Sequence, residues 1–167
     1  MKKKFLFFLT AGLLMILSAC STPEADEVLE YHNDFVDYTN PKIDEINRFF
    51  DEMERVETNE EAYEIEKNKI TSVIKDIKDY VDEQNPKEDI TKEYHQLRSK
   101  WADHYYESIE TQNDAYKALL DGSEDKAEEL FDESGEQMAD ANDYNKQANE
   151  KWDDIMDEFE FEEKEAS

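Results

Sequence analysis

A single cysteine in 167 residues rules out an internal disulfide framework, so the stability of the chain must come from packing. Three glycines and three prolines leave little material for hairpin turns or low-complexity linkers, which disfavours both a β-protein and a flexible coil. Basic residues are scarce as well. Nineteen Lys and Arg stand against 46 Asp and Glu, a formal charge of −27. A surface of that sign repels nucleic acid, whose affinity for proteins depends on Lys and Arg neutralising phosphates, and it repels anionic lipid head groups. Nucleic acid is therefore excluded as a partner. What remains is a cationic partner, loosely held divalent ions, or an acidic surface that sustains solubility.

Chemical motifs are missing too. There is no G-x-S-x-G, no glycine-rich phosphate loop, no H-E-x-x-H and no calcium loop. Di-iron bundles carry Glu three residues before His, whereas His32, His95 and His104 follow Leu29, Lys92 and Trp101 at that spacing. Carboxylate runs such as Asp153-Asp154 with Asp157-Glu158 read as solvated faces. The expectation is a protein that is not an enzyme and that has neither a metal nor a cofactor.

What is present begins at the N-terminus. Lys2, Lys3 and Lys4 form a positive segment, and Phe5–Leu17 an apolar run of thirteen positions interrupted by Thr10 and Gly12. A membrane-spanning helix needs about 20 apolar residues, so this run is an export signal and not a span. It ends in Leu17-Ser18-Ala19-Cys20. This tetrapeptide resembles the lipobox of bacterial lipoproteins. The resemblance implies cleavage after Ala19, a diacylglycerol on the Cys20 sulfur, acylation of the new amino end, and attachment to the extracytoplasmic face of the cell membrane. Each buried CH₂ contributes about 0.8 kcal/mol, so two or three chains anchor persistently. An ordinary secretory signal that leaves Cys20 a free thiol is the alternative reading of the same segment.

Cleavage would leave residues 20–167, one domain by length, and losing three lysines would take the formal charge from −27 to −30. Leu, Ile, Val and Phe make up only 25 of those 148 residues, about 17%, below the roughly 20% associated with disorder. Periodicity argues for a fold nonetheless, because nine Tyr, two Trp and three Met fall on the same helical stripes as the aliphatics.

From about 124 to 159, Ala127, Phe131, Ser134, Met138, Ala141, Asn145, Ala148, Trp152, Ile155 and Phe159 step by four and three, a heptad seam. Ile90, Tyr94, Leu97, Trp101, His104, Tyr105, Ser108, Ala115 and Leu119 give the same rhythm over about 86–120. Between them Asp121-Gly122-Ser123 supplies a left-handed C′ glycine and an N-cap serine, hence a tight αα-hairpin. Asn85-Pro86 reads as a helix start, and Thr58 with Glu61 as a capping box opening a helix over about 59–84. A further stripe through Val28, His32, Phe35, Ile43, Ile46, Phe49, Phe50, Met53 and Val56 meets Asn40-Pro41, where one kinked helix or two shorter ones would result.

The expected fold is all-α: an antiparallel up-down bundle of three to four long helices, the first kinked or split near Pro41. Its parts are a signal peptide at 1–19, a lipidated tether at 20–27, a bundle at 28–160 and a disordered acidic tail at 161–167. Folding about Gly122 makes opposed residue numbers sum to about 244. Leu97 then meets Ala148, Trp101 meets Tyr144 and Asn145, Tyr94 meets Trp152, and Thr111 meets Ser134. Bulky side chains lie over the small residues Ser134, Ala141 and Ala148.

His104, Thr111, Ser134 and Asn145 bring polar groups onto this seam. They form either a hydrogen-bonded layer that fixes register or a small ligand pocket. The chain as a whole resembles the small, acidic, all-helical lipoproteins of Gram-positive bacteria, some of which are described as cell-wall-binding. That resemblance implies a non-catalytic module for an envelope protein or wall polymer, with Tyr106, Tyr116 and Phe161 as outward contacts. The alternative is a lipid-tethered small-ligand binding protein using the polar layer. The oligomeric state is not encoded in any of these patterns.

Overall fold

The computed structural model describes residues 22–161. The signal segment, Cys20 and residues 162–167 of the acidic tail lie outside them. The described chain is all-helical and contains no strand. Its elements are α1 (Pro23–Met53), α2 (Asn59–Ile65), a π-helical segment (Glu66–Ile70), α3 (Thr71–Glu83), α4 (Asp89–Leu120) and α5 (Glu124–Phe159). Among the described residues no helix is long and apolar enough to cross a membrane.

Local chemistry sets most boundaries. The Thr22 hydroxyl accepts from the Ala25 amide at 3.2 Å and Pro23 occupies the first turn, so α1 already includes residues 23–27. Thr58 caps α2 by accepting from Glu61 N, while the Glu61 carboxylate accepts from the Thr58 hydroxyl and the Glu57 amide. At the α4–α5 turn, Gly122 N donates to Leu119 O and Ser123 N to Ala118 O, with Gly122 at φ +76°, a Schellman closure. Ser123 makes no side-chain cap bond.

One of two alternatives falls away and two expectations change. α1 is not split at Asn40-Pro41: the helix runs unbroken through Pro41. Packing on both sides of the proline outweighs the lost amide, since Phe35 and Ile46 are buried and Tyr38 stacks on Tyr80 at 3.8 Å. Asn85-Pro86 does not start a helix; α4 begins at Asp89 after the extended residues Gln84 and Glu88. α4 has no side-chain cap; the linker ahead of it is held from another helix, because the Glu27 carboxylate of α1 accepts from the amides of Lys87 (2.9 Å) and Glu88 (2.8 Å). The helix expected over 59–84 contains a π-helical turn. Buried Ala62, Glu66, Ile70 and Ile74 recur every four residues, which overruns the 3.6 period, and the wider turn absorbs the excess.

Side-chain pairs give the packing. α4 and α5 meet at Glu93–Lys151, Arg98–Asn145 and Ser108–Ser134, whose numbers sum to 244, 243 and 242. Tyr94 reaches Trp152 as expected, with ring centroids 5.8 Å apart. α1 meets α3 at Lys42–Asp76 and Tyr38–Tyr80, and α4 at Tyr31–His95 and Phe35–Trp101. The heptad seam of α5 divides into two rows. Ala127, Ser134, Ala141, Ala148 and Ile155 are buried, whereas Phe131, Met138, Asn145, Trp152 and Phe159 are half-buried. Small residues every seven positions let α5 lie close against α4. The second row is turned toward α1, with which α5 makes little contact.

Candidate functional site

Because α5 leans on α4 and stands off from α1, a cleft of about 470 Å³ opens between the three helices. One wall is apolar and aromatic: Phe35, Val36 and Ile43 of α1, Trp101 and Tyr105 of α4, and Met138 of α5. The other carries Asn142, Asn145 and Asn149 at three- and four-residue spacing, one face of α5. Arg98 lies on the floor, and His32, Thr39 and Asn40 complete the α1 edge.

Arg98 organises the floor. It is 5% exposed, and its Nε and Nη2 donate to the Tyr94 hydroxyl at 3.0 and 2.8 Å. Nη1 donates to Asn145 Oδ1 at 2.6 Å and Nη2 to Asn149 Oδ1 at 2.9 Å. The guanidinium carbon sits 4.7 Å from the Phe35 ring centre and 5.0 Å from that of Tyr94. Among the described residues no carboxylate forms an ion pair with it. A buried cation met only by neutral acceptors and ring faces is unexpected where acids outnumber bases by more than two to one.

The network continues into α1. With its oxygen accepting from Arg98, the Tyr94 hydroxyl donates its proton to His32 Nδ1 at 2.8 Å, which puts the imidazole hydrogen on Nε2. Burial first, then the nearby charge of Arg98, lowers the His32 pKa to about 4, so the ring is neutral at pH 7. It stacks flat on Trp152 at 3.5 Å. Tyr31 and His95 repeat the arrangement beside it, the Tyr31 hydroxyl lying 3.0 Å from His95 Nδ1, and burial lowers the His95 pKa as well. Burial pushes the Tyr105 phenol up to about 12.

The four expected seam residues do not form one layer. Asn145 belongs to the cleft. Ser134 is 6% exposed and locks to Ser108: each hydroxyl donates to the other's carbonyl, at 2.9 and 3.0 Å, which is a register clip. Ser108 thus takes the place expected for Thr111, which is half-buried. His104 stacks on Tyr144 at 5.3 Å and lies 3.7 Å from Glu107, and neither it nor Thr111 lines the cleft. The lipidation residue Cys20 lies outside the described residues. Tyr106 and Tyr116 are half-buried and do not stand outward; Phe161 folds back on Trp152, centroids 6.2 Å apart. Leu120 is the sole large apolar side chain exposed among the described residues, at 45%.

Arg98, His32, Tyr94 and Asn149 carry the site, and sequence patterning passed over their roles. A signal was available in the tripeptide Glu-Tyr-His, which occurs at 30–32 and again at 93–95. Its two copies face each other and exchange Tyr-to-His hydrogen bonds. No protein-family model matches the chain, and no curated protein or solved structure does so either.

Proposed function

We propose that this chain is a lipid-tethered extracytoplasmic protein, anchored in the cell membrane through Cys20, that binds a small ligand without catalysis in the cleft between α1, α4 and α5. The observation that carries the reading is the cleft floor. Arg98, buried and without a carboxylate, is held by Tyr94, Asn145 and Asn149 beneath an aromatic wall. Pockets of some hundreds of Å³ with apolar walls and a few fixed polar groups are where small molecules bind. The membrane address rests on the Leu17-Ser18-Ala19-Cys20 motif. The absence of nucleophile and phosphate-loop motifs from the sequence supports binding over catalysis. A module for an envelope protein or wall polymer would need surface to dock on, and the described residues expose one large apolar side chain.

The architecture that serves this function is an antiparallel up-down bundle in which α1 bends at Pro41. The contact ladders support it: numbers fall on one side as they rise on the other for α1 with the π-helical segment and α3, and for α4 with α5. With α1 starting at Pro23, two residues would separate the lipidated Cys20 from the first helix. The cleft would then be carried near the membrane surface.

Mass determination of the protein extracted from membranes under non-denaturing conditions tests both parts. Acyl mass on the peptide bearing Cys20 is expected, together with a bound small molecule that is lost in Val36→Trp, which fills the cleft. A free thiol refutes the tether. Identical spectra for the wild type and Val36→Trp refute the cleft.

A further inference from the structure

The donors and acceptors of the cleft floor are not balanced, and the imbalance has one sign. An arginine N–H can only donate, so the carboxamide oxygens of Asn145 and Asn149 must face Arg98 and their NH₂ ends turn away from it. Those NH₂ groups have no partner in the described chain. Arg98 uses four of its five N–H groups, one bond each for Nε and Nη1 and two for Nη2, which leaves one hydrogen on Nη1. His32 accepts at Nδ1, and so it offers a donor at Nε2. The acceptors that touch the charge, the Tyr94 hydroxyl and the Asn145 and Asn149 carboxamide oxygens, face Arg98, and donors are what these groups turn to the cleft. Together with a cation that no side chain neutralises, this is the chemistry of an anion site.

The surroundings narrow the anion. One positive charge balances one negative charge, and the chain around it carries −27 overall, which penalises a dianion. The free Nη1 hydrogen of Arg98 and the outward carboxamide NH₂ groups of Asn145 and Asn149 can serve the two oxygens of one carboxylate. The facing wall of Phe35, Val36, Ile43, Trp101 and Met138 holds no charge and requires an apolar partner. We infer, building on the cleft as the ligand site, that its occupant is a small molecule with an apolar or aromatic body and a single carboxylate set on Arg98, Asn145 and Asn149. The carboxylate supplies the counter-charge that the fold omits, and the body covers the aromatic wall.

The test uses the full chain in phosphatidylcholine nanodiscs, with empty nanodiscs as blank. It is titrated by calorimetry and tryptophan fluorescence with 3-phenylpropionate, its neutral amide 3-phenylpropionamide, and inorganic phosphate. Trp101 lines the cleft and Trp152 stacks on His32, so both indoles report occupancy. The acid is expected to bind at least tenfold tighter than the amide or phosphate. Arg98→Met removes the cation but also four hydrogen bonds of the fold, so Asn145→Asp carries the argument. Its carboxylate is isosteric and pairs with Arg98 internally, which should weaken the acid at least tenfold while the thermal midpoint stays the same or rises. Equal binding of acid and amide overturns the carboxylate assignment and leaves the ligand cleft standing. Phosphate binding tighter than the acid overturns it in favour of an oxyanion, and unchanged acid binding by Asn145→Asp overturns it outright. Failure of every probe to bind overturns both this inference and the binding function on which it builds.

Discussion

Glu66 offers the sharpest test of how this fold treats charge. It is 0% exposed, it lies in the π-helical turn, and neither carboxylate oxygen has a hydrogen-bond partner. Burial raises its pKa from 4.5 to about 8, so the group is protonated in the folded chain at neutral pH. Between those two values the unfolded chain has released the proton and the folded chain keeps it. The folded state therefore binds more protons, and stability falls as pH rises through the window. Each pH unit is worth about 1.4 kcal/mol, so the loss is on the order of 3 kcal/mol by pH 7, a large share of a small domain's stability. Glu66→Gln removes the titration while keeping the shape. Urea unfolding of residues 22–167, followed by far-ultraviolet circular dichroism from pH 4 to 8, measures the difference between wild type and variant. Below pH 4.5 that difference should be flat, set by the pH-independent cost of an amide in the same site. Above it the variant should gain at about 1.4 kcal/mol per unit until about pH 8. A difference that does not change with pH would show that Glu66 ionises as readily folded as unfolded, and the burial argument would fail.

His32 titrates with the opposite sign. Its folded pKa is depressed to about 4, so its contribution is present above about 6.5 and is lost as pH falls toward 4, and wild type should approach His32→Asn in stability over that range in the same urea assay. Ser134→Ala should cost about 1–2 kcal/mol by breaking the reciprocal clip, and the double variant with Ser108→Ala should cost less than the sum of the two singles, as chemical denaturation would measure. Gly122→Ala should cost roughly 1–2 kcal/mol through its φ of +76° alone, since nothing lies within 4 Å of the added carbon, and Gly122→Asn should cost less in the same unfolding measurement. Glu60/Glu64, Asp79/Glu83, Glu124/Glu128 and Glu129/Glu133 are spaced four apart on helices and repel. Salt should thus raise the melting temperature, and a midpoint equal at low and high ionic strength would remove self-repulsion as a significant term.

Features fixed by neighbours in sequence were legible there. The Thr58 cap with Glu61, the Gly122 turn and the register of the last hairpin all follow from chemistry within a few residues. Features decided by distant contacts were not. Pro41 stays inside α1 because Phe35, Tyr38 and Ile46 are packed from outside the helix. No helix starts at Asn85-Pro86, and the linker there is held by Glu27, some sixty residues earlier, which bonds the Lys87 and Glu88 amides. The site was obscured for a related reason. A heptad pattern marks Leu97 as a seam position and its neighbour Arg98 as solvated, yet Leu97 is half-buried and Arg98 is buried. Composition assigns arginine to the surface, and only the tyrosines, asparagines and rings gathered from three helices make its burial tolerable.

The openness of the cleft follows from the same placement. If α5 closed on α1, the row Asn142, Asn145 and Asn149 would be pressed against Phe35, Val36 and Ile43. Each carboxamide NH₂ would then be dehydrated without an acceptor, at about 1–3 kcal/mol apiece. Apolar contacts along the interface could offset part of that cost, but Arg98 adds a dehydrated charge with no counter-ion. Meanwhile Ala127, Ala141 and Ala148 draw α5 against α4, where small side chains allow close backbone approach and the Ser108–Ser134 clip fixes the height. The small-residue row thus binds α5 to α4, and Asn142, Asn145 and Asn149 keep the middle of α5 off α1. Replacing Asn142, Asn145 and Asn149 together by leucine, with Arg98→Met to remove the charge they would otherwise leave unpartnered, should reverse the second effect. The helices would close, Trp101 and Met138 would lose their remaining exposure, and tryptophan emission would shift to the blue. An unshifted spectrum would mean that α4 packing alone, and not the asparagine row, sets the gap.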